Sequence, residues 1–413
     1  MQNALRRTFT SLAVRNFRLY FIGQGISLCG SWMRMVALSW LVLQLTHSGT
    51  QLGLMTAAQF LPILLFGALG GVIVDRTDNK RLLVFTQVGL GLISLALGVL
   101  VMTHSVQLWM VYVLSVLSGL ITVADSPARQ TFVVQMVGED QLRNAVTLNS
   151  TIVNMARIIG PSIAAGLIAS VGMGWCFMLD AATFAAVLVA LLMMRRADLH
   201  LVEQIPKARG QLRAGLRYAM STPALRTTLF MMLIIGTFAY EFPVILPLVA
   251  TRTFHGNATT YAAMTAAMGI GSVIGALYSA AKGTTTMRRL ILTAALFGLS
   301  IIVTALAPNL VVGLLLLVFV GLLSVLFLSL GNTTLQLTSA PQMRGRVMAL
   351  WGITFQGTTP IGGPIIGAIA DHSNPRVGLI VGGVSAIVAA GIGLVVAGYK
   401  LPRKPADATI PVA

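Results

Sequence analysis

The sequence predicts an all-α integral membrane protein, and three observations support this prediction. Apolar stretches about 20 residues long recur throughout the chain, and a helix of that length crosses the roughly 30 Å hydrocarbon core of a bilayer. Basic residues concentrate in alternate gaps between these stretches, and the second half of the chain repeats a pattern of the first. We therefore expect twelve transmembrane helices in two six-helix halves, related by a pseudo-two-fold axis along the membrane normal.

Turn residues and charges divide the apolar sequence into its predicted spans. These cover residues 17–45, 50–74, 82–103, 107–125, 145–170, 174–194, 224–250, 258–281, 288–306, 310–335, 347–370 and 377–399. Five regions follow from this division. They are a cytoplasmic N-terminal segment (1–16), a first six-helix half (17–194), a cytoplasmic central loop (195–222), a second six-helix half (223–399) and a cytoplasmic tail (400–413).

The basic residues predict the orientation of the chain. Of 28 Lys and Arg residues, Arg252 and Arg376 fall in gaps on one side, and Arg34 and Arg157 fall inside spans. The other 24 share the opposite side, which the positive-inside rule makes cytoplasmic. Both termini are therefore predicted to be cytoplasmic, as an even number of spans requires. A nucleic-acid-binding protein would instead cluster its basic residues on one solvated face, so no nucleic-acid partner is expected.

Two internal stretches align without a gap when Gly160 is placed on Gly363. The matched residues are Thr131, Arg143, Thr151, Ile158, Gly160 and Pro161 in the first copy, and Thr334, Arg346, Thr354, Ile361, Gly363 and Pro364 in the second. Each copy has an arginine, then a span with a Gly-Pro pair deep inside it. Predicted spans five and eleven are therefore equivalent, and we assign the two Gly-Pro pairs to helix packing or bending.

Two like-oriented halves resemble the major facilitator superfamily of transporters, in which the halves rock around a midplane site. The loop after predicted span two begins at Gly71 and reads GVIVDRTDNKR. It is similar to that superfamily's loop signature, Gly-x-x-x-Asp-Arg-x-Gly-Arg-Lys/Arg, in which Gly71 is a helix-packing position. Asp78 and Asn79 replace the second Gly and the following Arg of the signature.

Shorter stretches resemble one branch of the superfamily, the exporters that include enterobactin and macrolide efflux proteins. They are Asn16-Phe17-Arg18, Pro127-Ala128-Arg129-Gln130, Leu142-Arg143-Asn144-Ala145, Gly160-Pro161 with Gly166, Leu179-Asp180-Ala181 and Arg344-Gly345-Arg346. This resemblance covers the whole chain and implies alternating access, usually export driven by proton entry. Ser115 stands where many proton-drug antiporters carry an arginine in span four, so antiport is less firmly implied than transport.

The resemblance also implies a cytoplasmic gate at the inner ends of spans two and four. In this gate Asp75 and Asp125 pair with Arg76, Lys80 or Arg129 and hold one conformation until a proton or substrate releases it. The residues by themselves allow a second interpretation, in which both acids are solvated and contribute about 0–1 kcal/mol each through nearby cations.

Ionisable side chains inside the spans are candidate functional residues, because burying them in a bilayer is costly. Glu241 is the only glutamate in any predicted span and has aromatic and aliphatic neighbours. Desolvation disfavours its charged form, which suits reversible protonation or binding of a cationic substrate. The alternative is a packing hydrogen bond to a neighbouring span. Pro243 breaks the outer end of the same span, as expected of a helix that bends.

Three further charges fall inside the spans. Arg34 and Asp180 lie in the outer halves of spans one and six, which are neighbours in the resembled fold. An ion pair is expected there, and losing one partner would cost about 3–5 kcal/mol. Arg34 is also a candidate substrate contact. Arg157 lies near the middle of span five and should face water, a partner or an anionic substrate.

These patterns predict a secondary active transporter that exports a small amphipathic or hydrophobic molecule, such as a drug, macrolide or siderophore-like compound, by proton antiport. Its expected partners are this cargo, protons and the lipids of the inner (plasma) membrane, and a monomer is expected. No nucleotide-binding loop is present, so an ion gradient would supply the energy.

The five histidines are scattered, so neither an enzyme nor a metal or other cofactor is predicted. The open alternatives are an importer or uniporter of a small metabolite and a transporter-like sensor without flux.

Overall fold

The computed structural model describes residues 10–200, 211–282 and 285–396, and helices dominate these ranges. The predicted all-α class is therefore confirmed for the described part of the chain, which contains no strand. The predicted tail 400–413 lies outside the described residues, as do residues 1–9 of the N-terminal segment and 201–210 of the central loop.

Six helices form the first half and correspond to predicted spans one to six. They are α1 Arg15–Thr46, α2 Gly49–Arg76, α3 Asn79–Met102, α4 Leu108–Gly138, α5 Asp140–Ser170 and α6 Gly174–Met193. Polar caps begin two of them: the Ser48 hydroxyl accepts from the Gln51 amide, and the Asp78 carboxylate accepts from the Arg81 amide. Gly138, with a φ of 68°, separates α4 from α5. Both helices extend further into the loop region than predicted.

The second half begins after a short amphipathic helix in the central loop. Its helices are α7 Gln211–Ser221, α8 Pro223–Phe238, α9 Phe242–Leu248, α10 Ala258–Lys282, α11 Met287–Ala305, α12 Leu310–Thr338, α13 Arg344–Gln356, α14 Thr359–His372 and α15 Pro375–Val396. Predicted span seven is interrupted between α8 and α9 and continues as a π-helical turn, Val249–Thr253.

The described ranges contain eleven segments long and apolar enough to cross a membrane, one fewer than the twelve predicted. Predicted span eleven, 347–370, is the difference, because it is divided at Gly357 and Thr358 into α13 and α14. Neither piece alone has the length of a span. Interrupted helices at membrane depth are tolerated where they are buried in protein or line a cavity.

Two helix pairs make the most extensive contacts between the halves. Helix α2 packs against α14, and α5 packs against α10. The approach of α2 to α14 is close, since a Cβ added to Gly53 would collide with the backbone oxygen of Gly363. The repeat relates span two to eight and five to eleven, so these two contacts are equivalent pairs. The internal repeat thus appears in the packing as well as in the sequence.

The remaining predicted packing positions lie inside helices. Gly160 and Pro161 lie within α5, where a Cβ on Gly160 would clash with Trp32 on α1. Pro364 follows Gly363 within α14, and Gly71 is partly buried near the inner end of α2.

Candidate substrate and proton site

A cavity of about 270 Å³ lies between the two halves, and both halves line it. Most of its walls are aromatic or aliphatic. Its lining includes Trp32, Met35, Thr56, Phe60 and Arg157 from the first half, and Tyr240, Glu241, Phe242, Pro243, Leu246, Tyr261, Thr265, Met268, Ser324, Leu328, Phe355, Gln356 and Thr359 from the second. A neighbouring cavity of about 250 Å³ shares Trp32, Phe60 and Pro243 with it and is also lined by Arg34.

Glu241 occupies the break between α8 and α9. Helix α8 ends at Phe238, and Pro243 stands in the first turn of α9, where its missing N–H costs no helical hydrogen bond. The Glu241 side chain is 2% exposed, and its Oε1 atom has no hydrogen-bond partner. This orphaned, buried acceptor is costly in its charged form.

Two glycines of α14 make room for this carboxylate. A Cβ on Gly362 would lie 3.1 Å from Glu241 Oε1, and one on Gly363 would lie 3.4 Å from Oε2. The predicted bending position Gly363 therefore also contacts the predicted proton-binding residue. Sequence reasoning did not connect these two features, because they lie in separate spans.

Arg157 lies on the wall of the cavity that the first half forms. Its Cζ atom is 5.0 Å from the ring centroid of Trp32, a cation–π arrangement. Its Nε atom is buried and has no hydrogen-bond partner. Among the described residues, no carboxylate lies within ion-pair distance of Arg157. The guanidinium is thus available to a ligand or to water.

The structure brings Arg34 and Asp180 together. The Arg34 Nε atom lies 3.0 Å from Asp180 Oδ2, and the Asp180 side chain is fully buried. Ser94 of α3 also donates a hydrogen bond to this carboxylate. The pair therefore links α1, α3 and α6 and neutralises the positive charge of Arg34.

Replacing Asp180 with asparagine is expected to lower the free energy of unfolding by about 3–5 kcal/mol, because Arg34 would lose its counter-charge in a buried position. Thermal unfolding of the purified protein in detergent would measure this loss. The double variant Arg34→Gln/Asp180→Asn, which keeps neither charge, should recover much of it. Equal losses in the single and double variants would contradict a pairing role.

Two of the predicted gate residues, Asp125 and Arg129, form a network within the first half, near helix ends predicted to be cytoplasmic. Arg129 Nε lies 2.5 Å from Asp125 Oδ2, and Arg129 Nη1 donates to Gln24 of α1. Thr86 and Gln87 of α3 donate to Asp125 Oδ1 at 2.6 and 2.8 Å. Asp125 and Arg129 therefore connect α4 to α1 and α3.

Lys80, Asp75 and Arg76 are the other predicted gate residues. Lys80 Nζ donates to the backbone oxygen of Met194 at 3.0 Å, just after α6. Asp75 is partly buried near the end of α2 that is predicted to be cytoplasmic, and the adjacent Arg76 is exposed.

An outer contact between the halves was not predicted from the sequence. Asp371 Oδ2 accepts hydrogen bonds from the Ser48 hydroxyl at 2.6 Å and from the Thr50 amide and hydroxyl at 2.8 Å, and its Oδ1 accepts from the Gly49 amide at 2.8 Å. Arg252 Nη2 lies 2.9 Å from the same Oδ1 atom. We call these residues the outer latch, since they join the start of α2 to the end of α14 on the side predicted to be outer.

The latch carboxylate is stabilised in its charged form. Asp371 follows the outer end of predicted span eleven. Partial burial acts to raise the pKa of its carboxyl. Hydrogen bonds from Ser48, Thr50 and Gly49 lower this pKa by a larger amount, so that it lies well below the usual range. The backbone amides belong to the N-terminus of α2, whose dipole also favours a negative charge. The only signal of this contact in the sequence was a helix-capping residue, Ser48, on the same predicted side as the one outer acid, Asp371.

Two helical halves that enclose a membrane-buried cavity, with unpaired charges on its walls, define a membrane transporter. The chain belongs to the transmembrane secretion effector family of the major facilitator superfamily, whose family model matches residues 6–413. The predicted resemblance is therefore confirmed, and the protein is a multi-pass membrane protein.

Curated relatives and solved structures agree with this assignment. The chain is 27% identical to the enterobactin exporter EntS of Citrobacter koseri, over 93% of this chain and 90% of the relative. It is also 27% identical to the multidrug efflux pump Tap of Mycolicibacterium fortuitum, over 83% and 86% of the two chains. A crystal structure of a bacterial homologue of the human lysosomal transporter Spinster, in an inward-facing and unoccupied conformation, has a TM-score of 0.73 and 13% identity, and the match covers 93% of this chain and 96% of that one. The structural likeness concerns the fold.

Proposed function

We propose that this protein exports a small amphipathic or hydrophobic molecule in exchange for protons, by alternating access in the inner (plasma) membrane. The observation that carries the proposal is Glu241, a buried and incompletely hydrogen-bonded carboxyl at a helix break in a cavity that both halves line. The family description, transmembrane secretion effector, and the efflux proteins among the relatives support the outward direction.

The composition of the cavity supports an amphipathic cargo. Aromatic rings from Trp32, Phe60, Tyr240 and Phe355 form much of its wall, and apolar atoms make up most of its surface although several lining side chains carry a polar group. A sugar-like molecule needs many converging hydrogen-bond partners, whereas a hydrophobic molecule needs mainly apolar surface.

Glu241 supports proton coupling through its surroundings. In the conformation described, the outer latch closes one side, and desolvation favours the neutral, protonated carboxyl. Rocking of the halves would change the access of water to the helix break at Pro243 and so allow the proton to leave. In this proposal the proton enters from the outer side and leaves on the cytoplasmic side.

The remaining predicted residues take supporting roles in this proposal. Asp75, Arg76, Lys80, Asp125 and Arg129 form the cytoplasmic gate, which holds the inner ends together when that side closes. The Gly-Pro pairs at 160–161 and 363–364, together with Gly71 and Pro243, permit close packing and bending. Both termini are cytoplasmic, and the chain works as a monomer without cofactor or catalytic activity.

The test uses inside-out membrane vesicles with an acidic lumen and follows uptake of a panel of dyes, macrolides and siderophores. We expect at least one compound to accumulate, and an ionophore that collapses the proton gradient should abolish its uptake. Vesicles lacking the protein provide the background. Uptake that survives loss of the gradient would indicate a uniporter, and binding without flux would indicate a sensor.

A further inference from the structure

The central cavity holds two charged side chains of opposite sign, one from each half. Arg157 comes from α5 and Glu241 from the break between α8 and α9. No ion pair joins them within the described ranges. The guanidinium and the carboxyl can therefore each bind a ligand of their own, and the surroundings of each group determine what kind of ligand it binds.

Glu241 is placed to bind a proton. Its carboxyl is 2% exposed and lies against Gly362 and Gly363 of α14. A carboxyl buried in this way can become neutral by taking up a proton, which removes the cost of a buried charge.

Arg157 cannot become neutral by a proton transfer, because an arginine side chain does not lose its proton in proteins. The nearby Arg34 differs, since Asp180 already neutralises it. When Glu241 is protonated, the charge of Arg157 therefore makes the net charge of the cavity positive. A second cation would be repelled in this apolar site, whereas an anion would be attracted.

The geometry of Arg157 also suits an oxyanion. Its guanidinium lies over the Trp32 ring, with 5.0 Å between Cζ and the ring centroid, and the side chain lines the cavity. A planar guanidinium with free donors matches the two oxygens of a carboxylate. The Nε atom is buried and has no hydrogen-bond partner in this conformation, so the guanidinium is incompletely satisfied by the protein.

We propose that the cargo is an amphipathic organic acid. Its carboxylate or equivalent oxyanion binds to Arg157, and its aromatic or aliphatic body packs against Trp32, Tyr240 and Phe355. This inference rests on the proposed function, because it assigns the chemical class of the cargo that the same cavity carries. The cargo names of the two relatives differ, so those names do not decide this class.

The test measures binding of three probes that share a naphthalene body: 2-naphthoate, 2-naphthamide and 2-naphthylmethylammonium. Full-length protein in lipid nanodiscs is equilibrated with each probe by dialysis, without a pH gradient. We expect 2-naphthoate to bind about 10- to 100-fold more tightly than 2-naphthamide, the range for a charge-assisted hydrogen bond. The ammonium probe should bind most weakly.

Variants at Arg157 separate a charge contact from a fold defect. Arg157→Gln should abolish the preference for 2-naphthoate over 2-naphthamide while binding of the naphthalene body remains measurable, and Arg157→Lys should retain part of the preference. Arg217→Gln removes an exposed arginine on α7 and should behave as wild type. Equal binding of all three probes, preference for the ammonium, no saturable binding of the acid, or an unchanged preference in Arg157→Gln would each overturn the proposal.

The binding test and the vesicle test can each give a negative result independently of the other. Binding in nanodiscs requires no gradient. Acid-selective binding without proton-driven uptake would therefore contradict the proposed proton antiport and still support an organic acid as the cargo. Proton-driven uptake of a cation, with no acid preference, would retain antiport and overturn the cargo class.

Discussion

Glu241→Gln should reduce proton-driven uptake in inside-out vesicles to the level of vesicles that lack the protein. Glutamine keeps the size of the side chain and its buried position between α8, α9 and α14, but it has no carboxyl to take up and release a proton. A transporter whose coupling depends on this group would then bind cargo without accumulating it. The measurement is initial uptake of a cargo identified with the wild-type protein.

The matched control for this variant is Asp198→Asn, which makes the same change to an exposed acid after α6. It should transport as wild type. Glu241→Gln should still bind cargo and exchange it across the membrane when no gradient is applied. Gradient-driven uptake at the wild-type rate in Glu241→Gln would show that another group, with Asp180 the first to test, carries the proton.

Asp371→Asn should open the outer side of the transporter. The carboxylate accepts hydrogen bonds from Ser48, Gly49 and Thr50 of the first half and contacts Arg252. Losing a charged acceptor costs about 1.5–3 kcal/mol, which would shift the balance of conformations toward the outward-open state about 10- to 100-fold. In the proposed mechanism the latch separates when this side opens, so the loss would fall on the closed conformation alone.

Thiol accessibility would measure this shift. Thr56→Cys, in a background in which Cys29 and Cys176 are replaced by serine, places a thiol on the wall of the central cavity. A membrane-impermeant maleimide added to the outer side should label it faster when Asp371→Asn is present. The Asp198→Asn background should leave the labelling rate unchanged. Equal rates in both backgrounds would show that the latch does not limit opening.

The latch should also be insensitive to mild acid. Hydrogen bonds hold the pKa of Asp371 well below its usual range, so the contact is fully present above the ordinary aspartate pKa of about 3.9 and weakens only as the pH falls through the lowered value. We therefore expect the ratio of the outer labelling rates of the Asp371→Asn and wild-type backgrounds to be the same at pH 5 and pH 8, since this ratio cancels the pH dependence of the thiol itself. A proton that drives transport would then act at another group, consistent with Glu241.

Much of the fold could be predicted from the sequence because hydrophobicity is a local property of the chain. A run of apolar residues must form a helix in a bilayer, where every backbone polar group needs an internal partner. The spans and the repeat that matches Gly160 with Gly363 follow from such local patterns. The division of predicted span eleven was missed, although Gln356, Gly357 and Thr358 interrupt the apolar run and Pro360 stands in the first turn of α14.

Part of the candidate site could also be predicted, because the charge of a residue, like its hydrophobicity, is a local property of the chain. Charged residues in apolar runs are visible in the sequence, so Glu241, Arg157, Arg34 and Asp180 could all be singled out. Pairing Arg34 with Asp180 required only that spans one and six be neighbours. Which charges remain unpaired could not be deduced, since this depends on the rotation and tilt of each helix.

By itself, the sequence determined the helical class, the positions of most spans, their internal repeat and the set of intramembrane charges. Only the tertiary structure decided that Arg34 is neutralised while Arg157 is not, and that Glu241 lies against the glycines of α14. It alone revealed Asp371 as a contact between the two halves. The physical reason is that an ion pair or hydrogen bond between helices depends on distances of a few ångströms. Those distances are set when two helices distant in sequence pack together, and no local pattern records them.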